Sequence, residues 1–137
     1  MAKPATSVAL TWTGNLTFTA DLANDRHVVT DGNSKAGLSP MELLAVATVG
    51  CMAIDVVHIL TKGRLPLRSV KAHLEGGRAA EDPKRLLAVR LRFAIEGDIP
   101  EEKVARAIAL SREKYCSVWH SLRQDIAFTT SFAVARA

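Results

Sequence analysis

The sequence predicts an α+β fold of antiparallel sheets around two central helices, in the order β-β-β-α-β-β-α-β. Alternating apolar and polar residues occur in two separate groups, which is typical of strands with one solvated face. Between the groups lies an almost continuous apolar stretch, residues 43–60, with the length of a central helix. An amphipathic helical stretch and a last alternating run follow the second group. The length of 137 residues fits one domain, residues 1–137.

The first group of strands occupies the N-terminal third. Val8–Trp12 and Leu16–Ala20 alternate on either side of Gly14-Asn15, a dipeptide that favours a β-hairpin turn. A third short strand, His27–Thr30, is followed by the turn-forming residues Asp31-Gly32-Asn33. We therefore predict three consecutive strands before the first helix.

The start and the end of the first helix have their own signals. Ser39 is the predicted N-cap, Pro40 takes the first helical position, and Glu42 completes a capping box with Ser39. The helix is predicted to run to Lys62, with Gly63 as its C-terminal stop.

This helix is apolar on nearly every face, and its length would also fit a membrane span. Asp55 and His58 lie within it, however, and each would be costly in lipid. An apolar helix can equally be buried in a protein core. We therefore expect no membrane insertion and predict that a second copy covers the helix in a homodimer.

The second group of strands is predicted from the same alternation of apolar and polar residues. Val70–Leu74 and Val89–Ile95 alternate, and the polar segment between them, Gly76–Lys84, is predicted to be the hairpin loop. Pro100-Glu101-Glu102 starts a second helix with an apolar stripe, which is predicted to end near Tyr115. A short helical stretch at residues 117–123 and a last strand at residues 126–134 complete the chain.

Composition argues against several classes of partner. The net charge is +4 and the basic residues are scattered, so no stripe for nucleic-acid binding is predicted. No apolar segment follows the N-terminal Met1-Ala2-Lys3-Pro4, which argues against a secretory signal and favours a cytoplasmic location. A permanent disulfide is disfavoured in that compartment, whereas a transient catalytic one is allowed.

The two cysteines lie in contrasting settings. Cys51 is in the middle of the apolar helix, and Cys116 lies where the polar second helix ends and a short one begins. A helix N-terminus stabilises a thiolate, and Cys116, followed by Ser117 as a possible N-cap, could lie at one. Cys51 alone could be a small buried apolar residue. Together the two settings suggest a pair that meets in space and carries out redox chemistry.

Two other arrangements of these residues are possible. Cys51, Asp55 and His58 share one helix face, but Cys51 and His58 would be about 10 Å apart along the axis. A polar stripe at a subunit contact is therefore favoured over a nucleophile–base pair. A zinc set of Cys51, His58, Cys116 and His120 would require the helices to meet, and no close Cys-x-x-Cys spacing supports it. No metal or cofactor is predicted.

Four segments together resemble the OsmC/Ohr family, the osmotically induced and organic hydroperoxide resistance proteins, and in particular its YhfA-type branch. They are Asp31–Asn33, Leu38–Leu44, Gly50–Val57 and Lys114–Val118. The resemblance covers essentially the whole chain. It implies an intertwined homodimer with central helices between the sheets and active sites at the subunit interface.

The resemblance also implies an activity, a thiol-dependent reduction of organic hydroperoxides in oxidative-stress defence. Cys51 takes the position of the cysteine that attacks the peroxide and becomes a sulfenic acid. Cys116 takes that of the resolving cysteine, which closes a disulfide that a dithiol reduces. The alternative is a non-catalytic dimer of the same fold that responds to redox state or binds a ligand.

Two further site residues follow from the resemblance. The family's peroxidases place a glutamate directly after the proline, where it orients an arginine toward the thiolate. Here Met41 follows Pro40, and Glu42 comes one residue later. Arg26 is the only arginine before residue 64 and is the candidate partner. Glu42 could serve the site or only the capping box.

Overall fold

The computed structural model describes residues 2–136. Its elements are β1 Ala9–Gly14, β2 Thr17–Asp21, β3 His27–Asp31, α1 Pro40–Lys62, β4 Leu67–Arg78, β5 Leu86–Gly97, α2 Glu101–Leu110, α3 Ser117–His120 and β6 Ala127–Ala135. A π-helical segment, Ser111–Tyr115, joins α2 to α3. The predicted order of strands and helices is confirmed, and α3 lies within the predicted short helical stretch. The chain forms two compact units, one ending at Leu44 and the other beginning at Ala45, and the single domain stays a prediction.

The first unit contains a three-stranded antiparallel sheet in the order β1-β2-β3. The predicted hairpin turn is present, with positive φ angles of 123° at Gly14 and 50° at Asn15. Both residue types tolerate this backbone region better than others do, because glycine lacks a Cβ and asparagine has a short polar side chain. The local sequence therefore determines the register of this hairpin.

Asp31 organises the loop that leads from β3 to α1. Its buried carboxylate accepts hydrogen bonds from the backbone N–H groups of Asn33 at 2.9 Å, Lys35 at 3.2 Å and Ala36 at 2.9 Å. These bonds lower the pKa of Asp31 because they stabilise the charged form, and the bond from Ala36 has the largest effect. The predicted turn is thus fixed by the side chain of its first residue.

α1 ends at Lys62 as predicted, but the left-handed residue that closes it is not Gly63. Gly63 still makes a helical bond, its N–H donating to the carbonyl of Ile59 at 3.0 Å, and the left-handed residue is Arg64 with φ 58°. The N–H of Arg64 donates to Thr61 at 2.9 Å and that of Leu65 to Leu60 at 3.1 Å. This is a Schellman motif whose left-handed position holds arginine instead of glycine.

The second unit contains a sheet in the order β4-β5-β6. β4 and β5 are antiparallel as predicted, but β6 pairs with β5 in parallel, so the prediction of purely antiparallel sheets was wrong here. The reason is the connection: α2 lies between β5 and β6 and returns the chain to the end of the sheet at which β5 began.

The loop of the β4–β5 hairpin is also shorter than predicted. Gly76 and Gly77 belong to β4 and pair with Val89 and Ala88. A Cβ on Gly76 would lie 2.8 Å from Cδ1 of Leu86, so a side chain there would displace its neighbour. Glycine therefore serves close packing in this strand.

The core of the second unit lies between α1, the sheet and α2. The buried residues of α1 recur every four positions and form one stripe: Thr48, Met52, Val56 and Leu60. The apolar members of this stripe form one cluster with residues of β5 and α2, among them Val89, Leu91, Phe93, Ile95, Val104, Ala107 and Ile108.

Other faces of α1 are exposed to solvent in the single chain. Ile54 is 69% exposed and Val46 is 54% exposed. Among residues 2–136, α1 is the one helix whose length and composition would allow it to cross a membrane. Core helices of soluble proteins pass the same test, and one stripe of α1 is buried in the core of the second unit.

Candidate functional site

The two cysteines come together in the second unit, as their settings predicted. Both are free thiols; Cys51 is partly buried on α1, and Cys116 is fully buried, with 0% of its surface exposed. Cys51 lies close enough to Cys116 to contribute to the raised pKa of the Cys116 thiol. Of the two residues, only Cys51 has exposed surface in the single chain.

Cys116 is the N-cap of α3, a position that the sequence assigned to Ser117. Its Sγ accepts a hydrogen bond from the backbone N–H of Trp119 at 3.4 Å. Its own N–H donates to the carbonyl of Ser111 at 2.7 Å and closes the π-helical turn. The backbone on both sides therefore fixes the position of this sulfur.

The electrostatics of Cys116 favour the neutral thiol. Burial is the largest effect and raises the pKa of Cys116 to about 11, with further contributions from Cys51 and Asp55. The N–H of Trp119 acts in the opposite direction and offsets only part of the increase. The expectation that the helix N-terminus would favour a thiolate at Cys116 was wrong, because burial outweighs one backbone hydrogen bond.

Asp55 takes part in the site through a contact that the sequence did not predict. Its Oδ2 accepts a hydrogen bond of 2.8 Å from Oγ of Ser111, a residue with 0% of its surface exposed. The sequence placed Ser111 on the apolar stripe of α2 without a function. A hydroxyl on an otherwise apolar stripe was the available signal, because a buried hydroxyl needs a partner.

His58 does not share this environment. It is exposed and, with Ile54 and Val57, lines an open groove of about 430 Å³ along α1. This exposure gives a nucleophile–base pair with Cys51 no support, and the polar stripe at a subunit contact stays a prediction.

No metal cluster forms in the part of the chain that the structure describes, since no three His, Cys, Asp or Glu side chains lie close enough to share an ion. His120 has a different contact. Its Nε2 lies 2.9 Å from the backbone carbonyl oxygen of Arg112.

Aromatic packing holds α3, the helix whose N-cap is Cys116. The rings of Trp119 and Phe128 lie with centroids 4.4 Å apart, and the guanidinium of Arg112 lies 5.0 Å from the Phe128 centroid. Trp119 thus anchors α3 against β6 and also donates the N–H that caps Cys116. Aromatic packing and this hydrogen bond therefore support the position of Cys116.

Glu42 and Arg26 lie in the first unit. The predicted capping box is confirmed: Glu42 N–H donates to Ser39 Oγ at 3.2 Å, and Ser39 N–H donates to Glu42 Oε1 at 2.9 Å. Ser34 Oγ donates to the same oxygen at 2.6 Å, and this bond, followed by that from Ser39, lowers the pKa of Glu42.

Arg26 lies in the turn between β2 and β3, where its Nε donates to the carbonyl of Ala23 at 2.9 Å. The ion pairs among residues 2–136 do not include one between Arg26 and Glu42. A role for either residue at the thiol pair stays a prediction.

Fold and site define a class of protein: a small α+β chain in which a partly buried cysteine within one helix lies near a buried cysteine at the start of another helix. The profile described as OsmC-like protein matches residues 31–131. The chain belongs to the OsmC-like family.

Individual relatives support this assignment. Protein YhfA of Escherichia coli K12 is 40% identical over 128 residues, which cover 92% of this chain and 96% of that protein. The structure of a hypothetical protein from Aquifex aeolicus VF5 is similar with a TM-score of 0.90 and 29% identity, over 98% of this chain and 99% of the other. An organic hydroperoxide resistance protein from Elizabethkingia anophelis shares the fold, with a TM-score of 0.73 and 15% identity over 98% of this chain and 100% of that one.

Proposed function

We propose that this protein is a thiol-dependent reductase of organic hydroperoxides, acting in the cytoplasm in defence against oxidative stress. The observation that carries the proposal is the proximity of a partly exposed Cys51 to a fully buried Cys116, close enough for Cys51 to raise the pKa of Cys116. The family assignment and the shared fold with a protein named for organic hydroperoxide resistance add support.

The asymmetry of the pair supports a division of roles. Cys51 is the partly exposed residue of the two, which supports its proposed role as the attacking cysteine. Cys116 is buried, and its raised pKa keeps it protonated near neutral pH. It is therefore a poor first nucleophile, but it lies beside the sulfur that reacts, where a resolving thiol is needed.

The cycle has three balanced steps. The Cys51 thiolate attacks the peroxide O–O bond, giving a sulfenic acid and, after protonation, an alcohol. Cys116 then displaces the sulfenic oxygen, a disulfide forms, and the thiol proton leaves with that oxygen as water. A dithiol reductant finally exchanges with the disulfide and restores both thiols. Cys51 packs against the hydrophobic core cluster, which favours an organic peroxide over a small hydrophilic one.

The proposal includes a homodimer. Large apolar side chains are exposed in both units, including Trp12 at 65% in the first and Ile54 at 69% in the second. Exposed apolar residues on adjacent turns of one helix are typical of a surface that a partner covers. A second copy of the chain is the proposed partner.

One observation favours the alternative function, a non-catalytic dimer that responds to redox state or binds a ligand. The carboxylate of Glu42 is already engaged by Ser34 and Ser39, and Arg26 is bonded to a backbone carbonyl. If neither residue activates Cys51, its oxidation is slow and the pair acts as a sensor.

A peroxide-consumption assay tests the proposal. Wild-type protein, supplied with an organic hydroperoxide and a dithiol, should turn over repeatedly. Cys51→Ser should abolish consumption, and Cys116→Ser should consume one equivalent and then stall. Equal residual turnover in both variants would contradict the assigned roles, and no consumption by the wild type would favour the alternative.

A further inference from the structure

The bond between Ser111 and Asp55 joins the two segments that carry the thiols. Asp55 lies one helical turn after Cys51 on α1, and Ser111 begins the π-helical segment that ends just before Cys116. The two residues are 56 positions apart in the chain, and their side chains meet at 2.8 Å. The contact is tertiary and owes nothing to local secondary structure.

Ser111 is bonded in two directions. Its side chain donates to Asp55, and its carbonyl accepts the N–H of Cys116 at 2.7 Å. A π-helical turn is a rare conformation that persists only where its surroundings support it. Ser111 thus connects the Cys116 backbone to the helix that carries Cys51.

We propose that the Ser111–Asp55 hydrogen bond positions Cys116 against Cys51 and so controls the rate of disulfide closure, without controlling the first reaction of Cys51. Its physiological meaning rests on the function proposed above, but closure itself can be measured without peroxide. Ser111 and Asp55 are positioning residues, because neither needs to contact the reagent.

The geometry of a disulfide explains why closure is sensitive to this bond. A disulfide tolerates only a narrow range of Cα separations and torsion angles. Loss of the Ser111 hydroxyl would leave a partly buried carboxylate oxygen short of a donor and free the π-helical turn to shift. The first reaction needs only Cys51 and an outside reagent, so it should be little affected.

The charge of Asp55 has the opposite effect on disulfide closure: it slows the reaction. Its carboxylate contributes to the raised pKa of Cys116 and so lowers the fraction of attacking thiolate. Asp55→Asn removes the charge but keeps an oxygen that can accept from Ser111. Closure in that variant should therefore be as fast as in the wild type or faster, whereas Asp55→Ala loses the acceptor altogether.

Reaction with dithiobis(nitrobenzoate) separates the two steps in one stopped-flow trace. The Cys51 thiolate attacks the reagent's disulfide, forms a mixed disulfide and releases one coloured thiolate. Cys116 then loses its proton, attacks the Cys51 sulfur of the mixed disulfide, closes the protein disulfide and releases a second coloured thiolate. The first phase reports access to Cys51, and the second reports positioning of Cys116.

Ser111→Ala should slow the second phase by about tenfold to 100-fold, since small misplacements of a reacting group cost rates of this order. The first phase should change by less than about twofold. The matched control is Ser121→Ala, which removes an exposed serine hydroxyl that donates to the Ser117 carbonyl at 2.8 Å. Both phases of the control should match the wild type.

The Asp55 variants keep the test decisive if Ser111→Ala fails to fold. Asp55→Ala and Asp55→Asn lose the same charge, but only Asp55→Asn keeps an acceptor, so the second phase should be slower in Asp55→Ala than in Asp55→Asn. The double variant of Ser111→Ala and Asp55→Ala should be no slower than Asp55→Ala alone, because both changes remove one bond. A second phase as fast in Asp55→Ala as in Asp55→Asn, or equal slowing of both phases, would overturn the proposal. Because no peroxide is used, this result is independent of whether the protein consumes peroxide.

Discussion

At the scale of single residues, the difference between the two thiols is one of solvent access. Cys51 is partly open, and Cys116 has no exposed surface and an N–H capping its sulfur. Under the proposed function, this difference distinguishes the attacking cysteine from the resolving one. The burial of Cys116 also links the ionisation of its thiol to the stability of the fold.

The raised pKa of Cys116 predicts a loss of stability in alkali. The folded pKa of about 11 exceeds the reference value of 9.0, so the folded state binds the thiol proton more tightly than the unfolded state does. This contribution is present below pH 9 and is lost as the pH rises toward 11. Urea unfolding at a series of pH values under reducing conditions checks this. Cys116→Ala should remove this decline, and an unchanged slope would contradict the assignment.

At the scale of elements, the two ends of α1 are stabilised differently. The N-terminus has a complete capping box, and the C-terminus places Arg64 where glycine is usual. Arg64→Gly should raise the free energy of unfolding by about 1 kcal/mol, because an L-residue in the left-handed region is strained. Thermal unfolding measures the change. Lys84→Gly, at another positive φ of 53°, is a comparison outside helices. Destabilisation by Arg64→Gly would refute the explanation.

Glu42 is predicted to act mainly as a capping residue. Glu42→Gln should leave both stability and the rate of Cys51 oxidation nearly unchanged, because glutamine can also close the box. Glu42→Ala should lower the melting temperature by removing two acceptor contacts. A thiolate titration of Cys51 in a Cys116→Ser background provides the deciding measurement. A clear upward shift of the Cys51 pKa in Glu42→Gln would show that the carboxylate serves the site.

Elements governed by neighbouring residues could be predicted from the sequence. The Gly14-Asn15 hairpin and the capping box of Ser39 depend on contacts within a few positions, and both are confirmed. The parallel pairing of β6, the bond between Ser111 and Asp55, and the burial of Cys116 depend on contacts between distant segments. Composition and periodicity carry no information about these contacts, so only part of the site could be predicted from the sequence.

At the scale of the whole molecule, the exposed apolar side chains predict a homodimer that is stable at micromolar concentration. Ile54→Glu should dissociate it, because a carboxylate would be buried without a partner in the covered face. Leu87→Glu, which places the same charge at a 43% exposed position on β5, serves as the control. Sedimentation velocity gives the mass of each species. A monomeric, folded wild type would refute the dimer.

The central claim, that Cys51 and Cys116 form one redox pair, is tested most directly by intact-protein mass spectrometry after one equivalent of an organic hydroperoxide. The account predicts that both free thiols disappear, that each chain loses about two mass units, and that a dithiol restores the original mass. Peptide mapping should show an intramolecular bridge between the two cysteines. A sulfinic acid on Cys51 together with a free thiol on Cys116 would contradict the claim.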